Sequence, residues 1–227
     1  MPFQDLPARL AAVRERMEAA RARGGHYQTV TIIAVTKTHG PEAPAAAWAA
    51  GVHDVGENRV QEAVAKMAQV SVPVLWHLIG HVQRNKVKQL DGFHLLHSMD
   101  SGRVADALDE HGRHRGRAME VLLQVNVSGE GTKGGYEPPD VEREAARLSR
   151  MTGLIVRGVM TMAPLDADER TLRQVFAGAR AVRGALREAG HPALELSMGM
   201  SGDFAVAVEE GATLVRLGTV LFGARPA

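Results

Sequence analysis

Apolar residues along the chain fall into two alternating rhythms. Short runs, several rich in β-branched residues, recur at Val30–Val35, Asp54–Gly56, Leu75–Ile79, Phe93–His97, Glu120–Asn126, Leu154–Met160, Glu195–Leu196 and Leu214–Leu217. Runs of this length and composition read as strands. Between them the spacing turns helical. "NRVQEAVAKMAQV" sets Val60, Ala63, Val64 and Met67 on a 3.6-residue rhythm. "APAAAWAAG" stops at Gly51, "ADERTLRQVFAGARAVRGALREAG" at Gly190 and "GDFAVAVEEG" at Gly211, while "PPDVEREAARLSRM" opens on prolines. "QRNKVK" reads as a basic helical segment with a solvent face, and a leading helix is expected from Asp5 to about Arg23, closed by Gly24 and Gly25.

Strands alternating with helices imply parallel strands joined by crossover helices. Eight such units in 227 residues predict an α/β chain folded as a single (β/α)8 TIM-type barrel with an extra N-terminal helix, one domain over residues 1–227. An open doubly wound sheet is the runner-up. The eightfold count depends on the three weakest strands, the second, seventh and eighth.

Composition removes several classes of function. The 27 basic and 26 acidic residues leave a net charge of +1, too little to imply nucleic acid or a membrane surface. The densest basic patch, "HGRHRGR" from His111 to Arg117, has no aromatic neighbour on which a base could stack and reads as a solvated loop. The absence of cysteine excludes disulfides and thiolate chemistry. The charged N-terminus lacks the apolar core of a signal peptide, and no apolar stretch is long enough to span a bilayer, so a cytoplasmic location is expected. The ten histidines form no HxH or HExxH pattern. His94 and His97 fall on a strand where they face opposite sides, so no metal site is expected.

In a barrel the chemistry gathers at the C-terminal strand ends. Polar groups expected there are Lys37 after strand one, Glu57 and Asn58 after strand two, and His77 and His81 around the end of strand three. His97, Asn126 and Thr161 follow on strands four to six, then Ser197 to Asp203 and Arg216 to Thr219. The last two loops are the most informative. "SMGMSGDF" supplies Gly199, Ser201 and Gly202 before a helix, and "VRLGTVLFGAR" supplies Gly218 and Thr219. Small residues and hydroxyls at a helix start suit a phosphate, which barrels frequently bind after strands seven and eight. The competing reading is turn glycines with Ser201 or Asp203 as a simple helix cap.

Lys37, taken alone, reads as a surface lysine at a strand end. Across the mouth from a phosphate cradle it becomes an amine that can condense with a carbonyl. A phosphorylated aldehyde needs both halves, and pyridoxal 5′-phosphate is such a cofactor. Arg216 is then a candidate to face the pyridine nitrogen, where a cation keeps that nitrogen unprotonated. A salt bridge in the barrel wall is its alternative reading.

"AVTKTHG", "GVHDVGENRVQEAVAK", "WHLIGHVQRNK", "HSMDS", "LLQVNVSGEGTKGGY", "GVMTMAP", "LSMGMSGDF" and "VRLGTVLFGARP" together resemble the pyridoxal phosphate homeostasis protein family over nearly the whole chain. The resemblance implies a barrel of the alanine racemase N-terminal type, with Lys37 holding the cofactor as an internal aldimine. It also implies Ser201, Gly218 and Thr219 on the phosphate, Arg216 at the ring nitrogen, and Asn58, His77 and Met160 lining the pocket. The chain departs from the family pattern at Gly202, where a second acidic residue is common, and at His39, where a lysine often stands.

The expected role is a binding protein with no catalytic residue. It would limit free pyridoxal phosphate and hand it to pyridoxal-phosphate-dependent apo-enzymes, its expected partners. The alternative is an amino-acid racemase, which needs a base on each face of the cofactor. The related racemases bring the opposing tyrosine from a second, β-rich domain, which this chain, ending at Ala227, is expected to lack. Tyr27 precedes strand one at the wrong end, whereas Tyr136 lies in the loop after strand five, at the right end. Lys133 in that loop is a second amine near the mouth. A lysine aldolase acting on a sugar phosphate is the third reading.

Overall fold

The computed structural model describes residues 3–130 and 134–223, so Lys133 lies outside the described residues. Eight parallel strands close into a barrel in sequence order: β1 (Thr31–Val35), β2 (Asp54–Glu57), β3 (Leu75–Leu78), β4 (Leu95–Met99), β5 (Met119–Gln124), β6 (Leu154–Met160), β7 (Glu195–Ser197) and β8 (Leu214–Leu217). β8 returns to β1 in the register Thr31↔Leu214 through Ala34↔Leu217, which leaves the sheet with no edge. The three strands with the weakest sequence signal are present and short. β7 spans only three residues, enough because its neighbours supply the register Gly158↔Glu195 to Met160↔Ser197.

Helices α1 (Leu6–Gly24), α2 (Glu42–Ala49), α3 (Val60–Met67), α4 (Gly102–His114), α5 (Val141–Leu148), α6 (Glu169–Glu188), α7 (Phe204–Glu209) and α8 (Thr219–Phe222) surround the barrel. α1 buries Leu6, Leu10, Val13, Met17 and Ala20, spaced four and three apart as one helix face requires. It packs against α7 and α8 and ends where Gly25, at φ 67°, turns left-handed and donates its N–H to the Arg21 carbonyl. "QRNKVK" forms the 3-10 helix Arg84–Gln89 in place of the crossover helix after β3. Among the described residues no helix is long and apolar enough to cross a membrane.

Two expectations are corrected. α4 was not marked in the sequence, and "HGRHRGR" is not simply a loop, because His111 to His114 form the last turn of that helix. The glycine inside it hid the pattern. Gly112 faces inward, where a Cβ would lie 1.8 Å from the Gly153 carbonyl oxygen, so close packing rather than a chain break explains it. β4 begins two residues later than expected, since the Phe93 N–H bonds back to the Leu90 carbonyl in a turn.

The core has two compartments. Most apolar side chains lie between sheet and helices. Inside the barrel a smaller cluster holds Ile33, Leu95, Leu122, Met160 and Leu214. Polar side chains share the interior, with His77, His97, Ser197 and Arg216 all buried.

Candidate functional site

Ile33 belongs to the interior cluster, and period two carries that inward direction through Val35 to Lys37, just past the end of β1. The residue before it, Thr36, is held at three atoms. Its N–H donates to the Gly56 carbonyl at 3.0 Å, its hydroxyl to Glu57 Oε1 at 2.6 Å, and its carbonyl accepts from Lys66 Nζ at 2.9 Å. Lys66 Nζ also pairs with Glu57 Oε1 at 2.6 Å, and Glu57 is fully buried. The residue after Lys37, Thr38, stands at φ 69°, a left-handed conformation that β-branched residues rarely adopt. Lys37 is therefore framed by a clamped residue on one side and a strained turn on the other.

The apolar rhythm of α3 does not mark Lys66 as the partner of Glu57. It set Val64 on the inner face of α3, yet Val64 is 41% exposed and the buried positions are Val60, Ala63 and Lys66. The helix is turned so that Lys66 reaches the Glu57 carboxylate. An i, i+3, i+6 spacing that starts at Val60 is the signal that would have found it.

Loops seven and eight meet beside β1. Gly199 sits at φ 93°, where a Cβ would lie 2.7 Å from the Ala207 methyl, and its carbonyl accepts the Arg216 N–H at 2.9 Å. The Ser201 hydroxyl does not cap its own helix. It reaches across and accepts from the Gly218 and Val220 N–H groups, each at 3.3 Å. Asp203 likewise turns back, accepting from the Met200 N–H. A Cβ on Gly218 would lie 3.6 Å from the Val35 Cβ, so this loop rests against the strand that carries Lys37. Thr219, exposed, opens α8 at the same place. Open space surrounds Gly202.

Beneath these loops lies Arg216, 5% exposed. One guanidinium N–H donates to Ser197 Oγ at 2.6 Å and another to the Thr161 carbonyl at 3.0 Å. Among the described residues no carboxylate lies within ion-pairing distance, so the salt-bridge reading of Arg216 does not hold. Burial pulls its pKa down to about 10. The result is a desolvated cation held by neutral acceptors.

An alanine racemase N-terminal domain model matches residues 8–226. The pyridoxal phosphate homeostasis protein of Deinococcus radiodurans is 44% identical over 96% of this chain and 99% of its own, and that of Aquifex aeolicus is 39% identical over 96% and 97%. The solved structure of PipY from Synechococcus elongatus PCC7942 with PLP bound superposes with a TM-score of 0.85 at 37% identity, covering 96% of this chain and all of that one.

The chain belongs to the pyridoxal phosphate homeostasis protein family.

For a member of this family, the structure gathers Lys37, Ser201, Gly218 and Thr219 at one mouth with Arg216 below. Asn58 is exposed beside that mouth, its carbonyl packed against Gly80. Met160 is buried in the interior cluster at the end of β6.

His77 does not join them, which corrects its expected place in the pocket lining. It lies within β3, not at its end, and its Nε2 is 2.9 Å from Oδ1 of Asp54, the first residue of β2. It lines a cavity of about 300 Å³ with Thr31, Asp54, Leu95, Glu195 and Leu214, five residues that begin their strands. That cavity opens at the N-terminal end of the barrel. Tyr136 is also committed elsewhere: its hydroxyl donates to Glu144 Oε1 at 2.8 Å, and burial raises its pKa. Tyr27 is 82% exposed ahead of β1.

Proposed function

We infer that this protein binds pyridoxal 5′-phosphate at the C-terminal mouth of the barrel and stores it without turning over a substrate. One observation carries the reading: Lys37, the Ser201–Gly218–Val220 junction and buried Arg216 meet at the ends of β1, β7 and β8. Small residues, hydroxyls and a helix start favour a phosphate there. Lys37 follows the strand against which that junction rests, and the clamp on Thr36 fixes the backbone from which its side chain starts. Pyridoxal phosphate supplies an aldehyde that condenses with amines and a ring that withdraws electrons once its nitrogen is protonated.

Arg216 opposes that protonation. A guanidinium carries no proton it can readily give up, and its charge repels another. A buried cation at the ring nitrogen therefore favours retention over carbanion chemistry. Racemisation also needs a base on the face opposite Lys37. Tyr136, the tyrosine at this end of the barrel, is bound to Glu144 and made less acidic by burial. Storage of a reactive aldehyde, released to apo-enzymes on demand, is the homeostatic role this chemistry supports.

The test is the visible spectrum of the purified protein with pyridoxal phosphate, for wild type and Lys37→Ala, before and after borohydride, followed by incubation with enantiopure amino acids. The expected result is a band that borohydride removes in wild type and that Lys37→Ala lacks, with no racemisation. A wild type without such a band would overturn the binding reading. Steady racemisation would overturn the storage reading.

A further inference from the structure

Four buried or half-buried polar side chains link Arg216 to the opposite end of the barrel. Ser197 Oγ, which accepts from Arg216, is 2.8 Å from His97 Nδ1. His97 Nε2 is 3.0 Å from His77 Nδ1, and His77 Nε2 is 2.9 Å from Asp54 Oδ1. His77, His97 and Ser197 are each at most 2% exposed. The two ends of this chain have fixed polarity. A guanidinium only donates and a carboxylate only accepts. Burial holds both imidazoles below the ordinary value of 6.5, most strongly His97, whose neighbours His77 and Arg216 add to the effect.

With both rings neutral, a single proton arrangement satisfies every contact. Asp54 accepts from His77 Nε2–H, which leaves His77 Nδ1 as an acceptor. His97 Nε2–H fills it, which leaves His97 Nδ1 to accept from the Ser197 hydroxyl. The serine oxygen is then free to accept from Arg216. Reversing either ring strands a buried donor or acceptor, a cost that protein interiors avoid.

We propose that Ser197, His97, His77 and Asp54 form a polarised hydrogen-bond relay through the barrel core that orients the Arg216 guanidinium, making Asp54, at the far mouth, a positioning residue for the cofactor site. The relay rests on the cofactor reading only where Arg216 faces the ring nitrogen. Its polarity is a property of the protein alone. It accounts for a feature that packing leaves unexplained: polar side chains from four strands occupy a barrel interior that branched apolar residues usually fill.

The test has two arms. In the first, histidine ring nitrogens are observed by 15N NMR in the cofactor-free protein. Both His77 and His97 are expected neutral, with Nε2 protonated and Nδ1 bare. An imidazolium, or an Nδ1–H form of either ring, would overturn the relay. In the second arm, pyridoxal phosphate affinity is measured by equilibrium dialysis for wild type, Asp54→Leu, Asp54→Asn and Ser197→Ala. Asp54→Leu is expected to change the His97 ring signals and weaken affinity about tenfold. Asp54→Asn, which keeps an acceptor, restores most of both. Ser197→Ala, at the near end, weakens affinity at least as much and serves if Asp54→Leu fails to fold. Unchanged His97 signals and unchanged affinity in Asp54→Leu, or unchanged affinity in Ser197→Ala, would refute the proposal. A wild type that binds no pyridoxal phosphate would sink the functional reading, while the NMR arm would still decide the polarity.

Discussion

Lys66→Met isolates the clamp behind Lys37. Methionine keeps most of the side-chain volume and removes the charge. In the native protein the Lys66 and Glu57 side chains are 9% and 0% exposed and their charged atoms are 2.6 Å apart. The substitution leaves a buried carboxylate with one donor, the Thr36 hydroxyl, and Glu57 Oε2 already has no partner among the described residues. Removing one member of a buried pair costs about 3–5 kcal/mol. At ~2–4 °C per kcal/mol for a chain of this size, melting should fall by ~6–20 °C. The double variant Glu57→Gln/Lys66→Met removes both charges, retains an acceptor for Thr36, and should recover most of the loss. Chemical denaturation at neutral pH with thermal melts measures both, and pyridoxal phosphate binding reports whether a freed Thr36 carbonyl also loosens Lys37. A single variant within ~1 kcal/mol of wild type, or a double variant no better than the single, would show that the pair does not hold this corner of the barrel.

Two further outcomes follow from the same geometry. Ser201→Ala removes the hydroxyl that joins loops seven and eight, and should weaken pyridoxal phosphate about tenfold while leaving the affinity for pyridoxal, which lacks the phosphate, within about twofold. Equal losses for both ligands would count against a phosphate cradle there. Stability should fall as pH drops below about 6.5, because the unfolded chain then takes up protons that buried His77 and His97 refuse; the loss is at most about 1.4 kcal/mol per pH unit for each ring and ends once pH lies below the folded values. Urea unfolding at pH 7.5, 6.5 and 5.5 should show this slope in wild type and a shallower one in His97→Gln, and equal slopes would assign it to other groups.

Pattern alone went far for the backbone. Short apolar runs rich in β-branched residues, such as Val30–Val35 and Leu154–Met160, and period 3.6 between them determined an alternating chain, and eight alternations in this length leave few closed arrangements. The barrel rule then told which end would carry chemistry, so Lys37, Ser201, Gly218 and Thr219 could be picked out before any contact was known. Failures came where a local signal was cancelled by a distant neighbour. The stretch from His111 to Arg117 reads as a solvated loop until the Gly153 carbonyl is seen beside Gly112, and the apolar rhythm through Val64 passes over Lys66, which Glu57 draws to the buried face.

The polar interior shows the division most clearly. The sequence determined that His77, His97, Ser197 and Arg216 sit on strands, and alternation limited each to one of two faces. Which atoms meet was decided by closure of the barrel, since the contacts join residues 19 to 100 positions apart. Sequence spacing says nothing about register between strands so far apart; strand tilt and the β8-to-β1 pairing set it. That is why His77, legible as a histidine beside a strand end, turned out to face the opposite mouth, and why an arginine legible as a ring-nitrogen partner proved to be the end of a buried chain.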